Sequence, residues 1–208
     1  MKIIVTGGTG YIGSHTVVEL QQDGHEVVIV DNLANSTINV LDGIQGITGT
    51  RPAFEKIDLT DRPATLDFFA RHKDARAVIH FAALKAVGES VSKPLEYYYN
   101  NLNSLMNVLA GMRGNGIPNL VFSSSCTVYG QADVLPVTER TPRHEAESPY
   151  GNTKVMSEDI IRDLMRVEKS MNGIALRYFN PIGAHPSALI GELPVGVPNN
   201  LIPYLTQT

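Results

Sequence analysis

The chain has 208 residues, 43% of them hydrophobic and 18% charged, enough apolar material for one large α/β domain and part of a second; this excludes a short peptide or a disordered tail. Lys plus Arg number 17 against 21 Asp plus Glu, and a formal charge of -4 excludes the global basic field that would recruit nucleic acid or an anionic membrane. Cys126 is the single cysteine and cannot close an intrachain disulfide, so the cytoplasm is the expected compartment. Thr6-Gly7-Gly8 cuts the first apolar run far short of a leader core of roughly 7 to 15 residues. No apolar stretch approaches the roughly 18 residues of a spanning helix, and the histidines lack the short spacings of metal ligands, so neither a membrane span nor a metal site is expected.

In chain order, short apolar runs at 3–5, 27–30, 53–57, 77–81, 120–122 and 174–179 read as six strands, and most are continuous enough for strands buried on both faces. Ile12, Thr16 and Leu20, with Val17, fall at helical spacing after the first strand, and Gly24 supplies a left-handed stop. Asp61 before Arg62-Pro63 reads as an N-cap with proline in the first turn, opening a helix through Leu66, Phe69 and Ala70. A longer helix is expected from about Pro94 to Met112, and another from just after Pro149 to near Asn172-Gly173, its apolar face marked by Met156, Ile160, Leu164 and Val167. Strands alternating with helices predict a doubly wound α/β fold with a parallel sheet, although the strand order is not readable. Pro181, Pro186, Pro194, Pro198 and Pro203 are five of the 12 prolines, so a change of region is expected after residue 180, with a helix opening near Leu201.

Three places carry chemistry. Gly7, Gly10 and Gly13 lie between the first strand and first helix: Gly7 allows a sharp turn, Gly10 a close approach of backbone to a pyrophosphate, and Gly13 tight packing of helix on strand. By itself the triplet also fits a flexible turn, but Asp31 ends the second strand about 20 residues on, where a carboxylate accepts ribose hydroxyls and repels a 2′-phosphate, which favours NAD over NADP. Ser125 follows the fifth strand at the sheet edge where such folds bind ligands. Tyr150 and Lys154 stand one helical turn apart, so the ammonium, with the positive ring of oxidised nicotinamide, can lower a phenol whose ordinary pKa is about 10. Ser125 could bridge the phenol and a substrate hydroxyl. His80, inside an apolar strand, reads as a satisfied buried histidine, and adjacent Tyr97, Tyr98 and Tyr99 as packing and surface residues.

Those three places, in that order, resemble the extended short-chain dehydrogenase/reductase superfamily. Residues 6–15, 31–33, 80–90, 122–130, 148–154, 177–185 and 198–201 are similar to the UDP-glucose 4-epimerase (UDP-galactose 4-epimerase) family, and the likeness runs the length of the chain. The resemblance implies a Rossmann-like NAD domain over residues 1–180 and the start of a smaller substrate-binding lobe over 181–208, a lobe that continues in family members. It implies Tyr150 as base, Lys154 as its electrostatic partner and ribose ligand, and Ser125 as the hydrogen-bonding third member. With the three glycines, Tyr11, Ile12, Asp31, Asn32, Asn35, Ser36, Asp58, Leu59, Phe81, Ala82, Lys85, Asn100 and Phe179 would line the NAD site, and Lys85, Ser125, Tyr150, Asn180, Asn200 and Leu201 would reach a UDP-sugar. Asp58 reads equally as the start of a turn and Asn100 as a helix-surface amide. The implied activity is C4 epimerisation of a UDP-hexose through a transient 4-keto sugar, in galactose metabolism, and the resemblance admits a homodimer. Rival readings are a nucleotide-sugar 4,6-dehydratase or decarboxylase, or a noncatalytic NAD-binding module.

Overall fold

Six strands, β1 Lys2–Thr6, β2 Glu26–Asp31, β3 Ala53–Lys56, β4 Ala77–His80, β5 Asn119–Ser123 and β6 Asn172–Leu176, pair in parallel in the order β3-β2-β1-β4-β5-β6. This is a computed structural model that describes residues 1–193 together with 202, 204 and 205. Chain order reverses between β1 and β4, and the crevice outside the carboxyl ends on either side of that switch is where open α/β sheets take ligands. Thr6 lies level with Val30 and His80, and His80 level with Phe122, so these four strands end together at one rim.

The connections are α1 Tyr11–Gln22, α2 Val40–Thr48, α3 Arg62–Arg71, α4 Val87–Ser92, α5 Pro94–Gly114 and α6 Pro149–Val167. Alternate strand residues supply two cores because successive side chains point to opposite faces. Ile4, Val28, Val30, Val78, Leu120 and Phe122 pack against Phe68, Phe69, Leu105, Val108 and Met112 of α3 and α5, with Ile161 of α6. Ile3, Val5, Val27 and Ile29 pack against Val17, Val18, Leu41 and Ile44 of α1 and α2. The doubly wound α/β class expected from the alternation is the observed one. Among the described residues, no helix is long and apolar enough to cross a membrane, and no group of three His, Cys, Asp or Glu is placed to hold a metal ion.

The last strand and the helix before it differ from expectation. α6 stops at Val167, and Asn172-Gly173, expected as its stop, already lie in β6: Asn172 N–H donates to Pro118 O at 2.7 Å and Gly173 pairs with Leu120. β6 ends at Leu176 because the chain turns toward the β5 end, where Cys126 N–H donates to Tyr178 O at 3.1 Å. Two helices, α2 and α4, were not expected. The apolar spacing of Val40, Leu41, Ile44 and Ile47 is helical, but Gly43 and Gly46 lower its intrinsic propensity, and burial of Leu41 and Ile44 decides the outcome.

After β6 the chain folds back across the rim. Tyr11 donates its hydroxyl to Gly183 O at 2.5 Å, and Ile190 is buried in the α1–α2 core. Ile202, Tyr204 and Leu205 are helical, in line with a helix opening near Leu201; the rest of that segment lies outside the described residues.

The α3 N-cap gives a direct check. Asp61 accepts from Ala64 N–H at 3.0 Å, with Pro63 in the first turn. Asp61→Ala is expected to lower stability by about 1 kcal/mol, read as a lower urea midpoint with unchanged slope; an unmoved midpoint would show that the cap contributes nothing.

Candidate active site

β1 leads from Thr6 into a turn whose backbone tolerates no side chain at two points. Gly7 has φ 66°, and a Cβ there would stand 2.7 Å from Ala82 N; a Cβ on Gly13 would stand 2.2 Å from Gly7 O. Gly10 caps α1 without a side-chain hydrogen bond, so Tyr11, Ile12 and Gly13 present first-turn N–H groups and the positive end of a helix dipole. Asp31 is buried beside this turn, where Thr9 N–H donates to Oδ2 at 3.2 Å and Leu33 N–H to Oδ1 at 2.9 Å. A carboxylate has about four lone-pair sites, so both oxygens keep acceptor capacity for a diol. Ser36 meets Thr9 hydroxyl to hydroxyl at 2.6 Å, and Asn35 is exposed on the same loop.

Asn32 donates to Asp58 Oδ2 at 3.4 Å. Asp58 also opens the turn that it was alternatively read as, accepting from Thr60 N–H at 2.9 Å and Thr60 Oγ at 2.7 Å. Burial pushes this carboxyl up, but the Thr60 and Asn32 hydrogen bonds outweigh it and hold the group below its ordinary range. Leu59 lies in the core, its carbonyl accepting from Asn107 Nδ2 at 2.9 Å, so its side chain does not face the rim residues.

The loop after β4 is tied to the turn by Thr6, which accepts from Phe81 N–H at 3.0 Å through its carbonyl and from Ala82 N–H at 3.3 Å through its hydroxyl. Asn101, buried on α5, accepts from Leu84 N–H at 2.8 Å and donates to Leu84 O at 3.0 Å and Thr153 Oγ at 3.1 Å, joining this loop to α6. Asn100 donates to Asn101 Oδ1 at 2.9 Å. Lys85 is exposed, 3.5 Å from Glu192. The three tyrosines diverge: Tyr97 is buried and donates to Glu89, Tyr98 accepts from Asn152, and Tyr99 is exposed.

Ser125, Tyr150 and Lys154 come together at the end of β5. Ser148 caps α6 by accepting from Gly151 N–H at 3.1 Å and Pro149 takes the first position, which starts the helix where Tyr150 lies in its first turn. Burial pushes the Tyr150 phenol up to about 12, and the neighbouring Ser125 hydroxyl acts in the opposite direction. Lys154 is 4% exposed and donates to Ser123 O at 2.7 Å, with Nζ 5.8 Å from the Tyr150 ring centroid. Burial alone pushes Lys154 down to about 8. The hydroxyl oxygen of Thr127, two residues from Ser125, is buried and has no hydrogen-bond partner among the described residues. Phe179 and Asn180 are exposed beyond β6, and Asn200 and Leu201 lie outside the described residues.

Sequence reasoning missed the knot beneath this trio. Glu158, one turn beyond Lys154, accepts from Ser124 Oγ at 2.6 Å and from Arg177 Nε at 2.8 Å through one oxygen, and from Arg177 Nη2 at 2.7 Å through the other. Burial raises the Glu158 carboxyl, but the bonds from Arg177 and Ser124 outweigh it and hold it below the ordinary range. The available signal was the spacing Tyr150, Lys154, Glu158, four residues apart on one helical face.

Lys154 makes stability depend on pH in a definite direction. Its folded pKa of about 8 lies below the ordinary 10.5, so between those values the unfolded chain binds the extra proton and stability rises with pH. The rise should be on the order of 3 kcal/mol. Lys154→Met is expected to flatten it and to match or exceed the parent's stability at pH 7, in urea titrations across pH 7 to 11; the same slope in both would place the titrating group elsewhere.

Comparison with known proteins places the chain. Residues 3–204 match the NAD dependent epimerase/dehydratase family. The UDP-glucose 4-epimerase of Bacillus subtilis is 52% identical over 100% of this chain and 60% of its own length, and that of Schizosaccharomyces pombe 51% identical over 99% of this chain and 58% of its own. The chain thus spans about three-fifths of the curated relatives it matches. Among solved structures, UDP-glucose 4-epimerase from Bifidobacterium longum in complex with NAD+ and UDP superposes with a TM-score of 0.96 at 44% identity, covering 100% of this chain and 62% of that one. The enzyme from Stenotrophomonas maltophila with bound NAD and formylated UDP-arabinopyranose gives 0.95 at 51%, covering 100% and 61%. The glycine turn, its acid and the serine, tyrosine and lysine at the rim therefore belong to a member of the NAD dependent epimerase/dehydratase family.

Proposed function

We propose that this chain carries the NAD-binding and proton-transfer half of a C4 epimerase of UDP-hexoses, interconverting UDP-glucose and UDP-galactose through a transient 4-keto sugar. The observation that carries the reading is the convergence of Ser125, Tyr150 and Lys154 at the end of β5, beside the switch point that holds the glycine turn. A module that only sensed a dinucleotide would need the turn but not a proton-transfer group. Relatives named as UDP-glucose 4-epimerases at 50 to 52% identity support the same reading.

The residues present fit NAD. The first-turn N–H groups of α1 would hold the pyrophosphate, Asp31 the adenosine ribose, and Lys154 the second ribose, with Asp58, Phe81, Ala82, Asn100 and Phe179 as further lining. When bound, NAD supplies the hydride acceptor and donor for C4 and, oxidised, a positive ring charge. The chain moves the proton. Tyr150 takes the C4 hydroxyl proton and later returns it, Ser125 holds that hydroxyl against the phenol, and the Lys154 charge opposes the burial that keeps the phenol protonated. Lys85, Asn180, Asn200 and Leu201 would contact the nucleotide-sugar.

A homodimer is also proposed. Met106, Leu109 and Ala110 of α5 and Ile160 and Leu164 of α6 line an apolar groove of about 210 Å³ with Arg113 at its edge, a face suited to a second copy. The cytoplasm remains the proposed compartment, and residues 1–180 and 181–208 the proposed domain division.

Two variants and one product analysis test this. NAD should bind far better than NADP, and Asp31→Ala should erode that preference; undiminished discrimination would assign the choice elsewhere. Tyr150→Phe should lower interconversion by about 10² to 10⁴ while UDP-sugar binding survives, and normal turnover would remove Tyr150 from the mechanism. NMR of the product from UDP-galactose should identify UDP-glucose. A 4-keto-6-deoxy sugar from UDP-glucose would instead favour a dehydratase, whose motif resembles Thr-Asp-Glu where this chain has Ser125-Cys126-Thr127.

A further inference from the structure

The Lys154 ammonium lies in an unusual setting. It is nearly fully buried, and among the described residues no carboxylate oxygen lies within 4.0 Å of it. A buried charge without a counter-ion ordinarily surrenders its proton. Its neighbours are the Ser123 carbonyl, which accepts from Nζ at 2.7 Å, and two ring faces: Phe122, with its centroid 4.9 Å from Nζ, and Tyr150 at 5.8 Å. Phe122 is 2% exposed, so its contact with the ammonium is desolvated, the condition under which an aromatic face attracts a cation most strongly.

We propose that Phe122 is a positioning residue, whose ring face, with the Ser123 carbonyl, keeps the buried Lys154 ammonium charged and aimed at Tyr150 in place of a counter-ion. The inference rests on the reading of Lys154 as a member of the proton-transfer set. It also gives His80 a role. His80 lies level with Phe122 on the neighbouring strand, its ring stacked on that of Phe122 with centroids 6.0 Å apart and planes 21° apart. Thr6 Oγ lies 2.7 Å from His80 Nδ1, a hydrogen bond in which either group can be the donor, and the Thr6 hydroxyl oxygen also accepts from Ala82 N–H. Burial, reinforced by the Lys154 charge, pushes His80 down to about 3. A neutral neighbour leaves Lys154 as the cation on the Phe122 ring. The other titratable groups nearby are Tyr150 on the same helix, Tyr178, whose hydroxyl is bonded to Ser123 Oγ, and Glu158, which is engaged by Arg177 and Ser124.

The test is the titration of Lys154 itself, followed by ¹⁵N NMR of the lysine Nζ groups in the 208-residue chain, with Lys154→Met to assign the signal. Phe122 is replaced in turn by 4-fluoro-, 3,5-difluoro- and 3,4,5-trifluorophenylalanine, which keep the ring's shape while draining the negative charge from its face. The Lys154 pKa should fall stepwise, by about one unit across the series. Phe122→Leu should lower it by a similar amount, and Phe122→Tyr should keep the parent value. Identical titrations in the parent and the fluorinated proteins would overturn the proposal, and that series decides the matter even where Phe122→Leu fails to fold. NAD binding by the parent is measured alongside. Its absence with the stepwise shift intact counts against the cofactor reading alone, and a flat series with NAD bound counts against the ring contact alone.

Discussion

The burial of one ammonium, that of Lys154, sets the terms for the rest of this rim. To reach the Ser123 carbonyl at 2.7 Å, α6 must lie tightly along β5, and that contact brings Tyr150, one turn earlier, against Ser125. The helix is fixed at its start and its middle: Ser148 and Pro149 set where it starts, and Glu158 binds it to Ser124 on one side and Arg177 on the other. Removing one partner of such a buried pair leaves an uncompensated charge, so the knot resists rearrangement whatever its net contribution to stability. A positive charge held in low dielectric beside a buried phenol favours the phenolate, which is what proton abstraction near neutrality requires.

The glycine turn is coupled to this centre through β4. Thr6 closes β1, binds the first residues of the loop after β4, and shares a hydrogen bond with His80 Nδ1 through its hydroxyl; His80 stacks on Phe122, and Phe122 faces Lys154. Asn101 makes a second bridge, from Leu84 in that loop to Thr153 on α6. A ligand held at one end of the rim is thereby aligned with the other by side chains that need not touch it. The parallel register makes the bridges short, because Thr6, His80 and Phe122 stand abreast.

Much of this was legible in the sequence because the signals were local. Apolar runs, most of them continuous, marked all six strands, glycine spacing marked the turn, and Asp61 and Pro149 marked helix starts. Strand order was not legible, since a parallel sheet's neighbours are chosen by long-range packing. α2 was hidden by its glycines, and β6 was displaced because Asn172-Gly173 reads as a helix stop while pairing with β5 decides its fate. In the site, motif spacing singled out the glycine turn, Asp31, Ser125, Tyr150 and Lys154 as candidates. Those that act across the fold, Thr6, Asn101, Phe122, Glu158 and Arg177, were not, because each is an ordinary residue in an ordinary segment until the sheet assembles. Leu59 shows the converse: its side chain belongs to the core.

One ligand spanning the rim would engage the glycine turn, Asp31 and Lys154 together. Backbone amide NMR of the chain during titration with NAD tests this most directly. Saturable shifts are expected at Gly10 to Gly13, at Asp31 and at Ser125, Tyr150 and Lys154, all with a single dissociation constant, and none along the groove between α5 and α6. Shifts confined to one end of the rim, or different constants for the two ends, would contradict this.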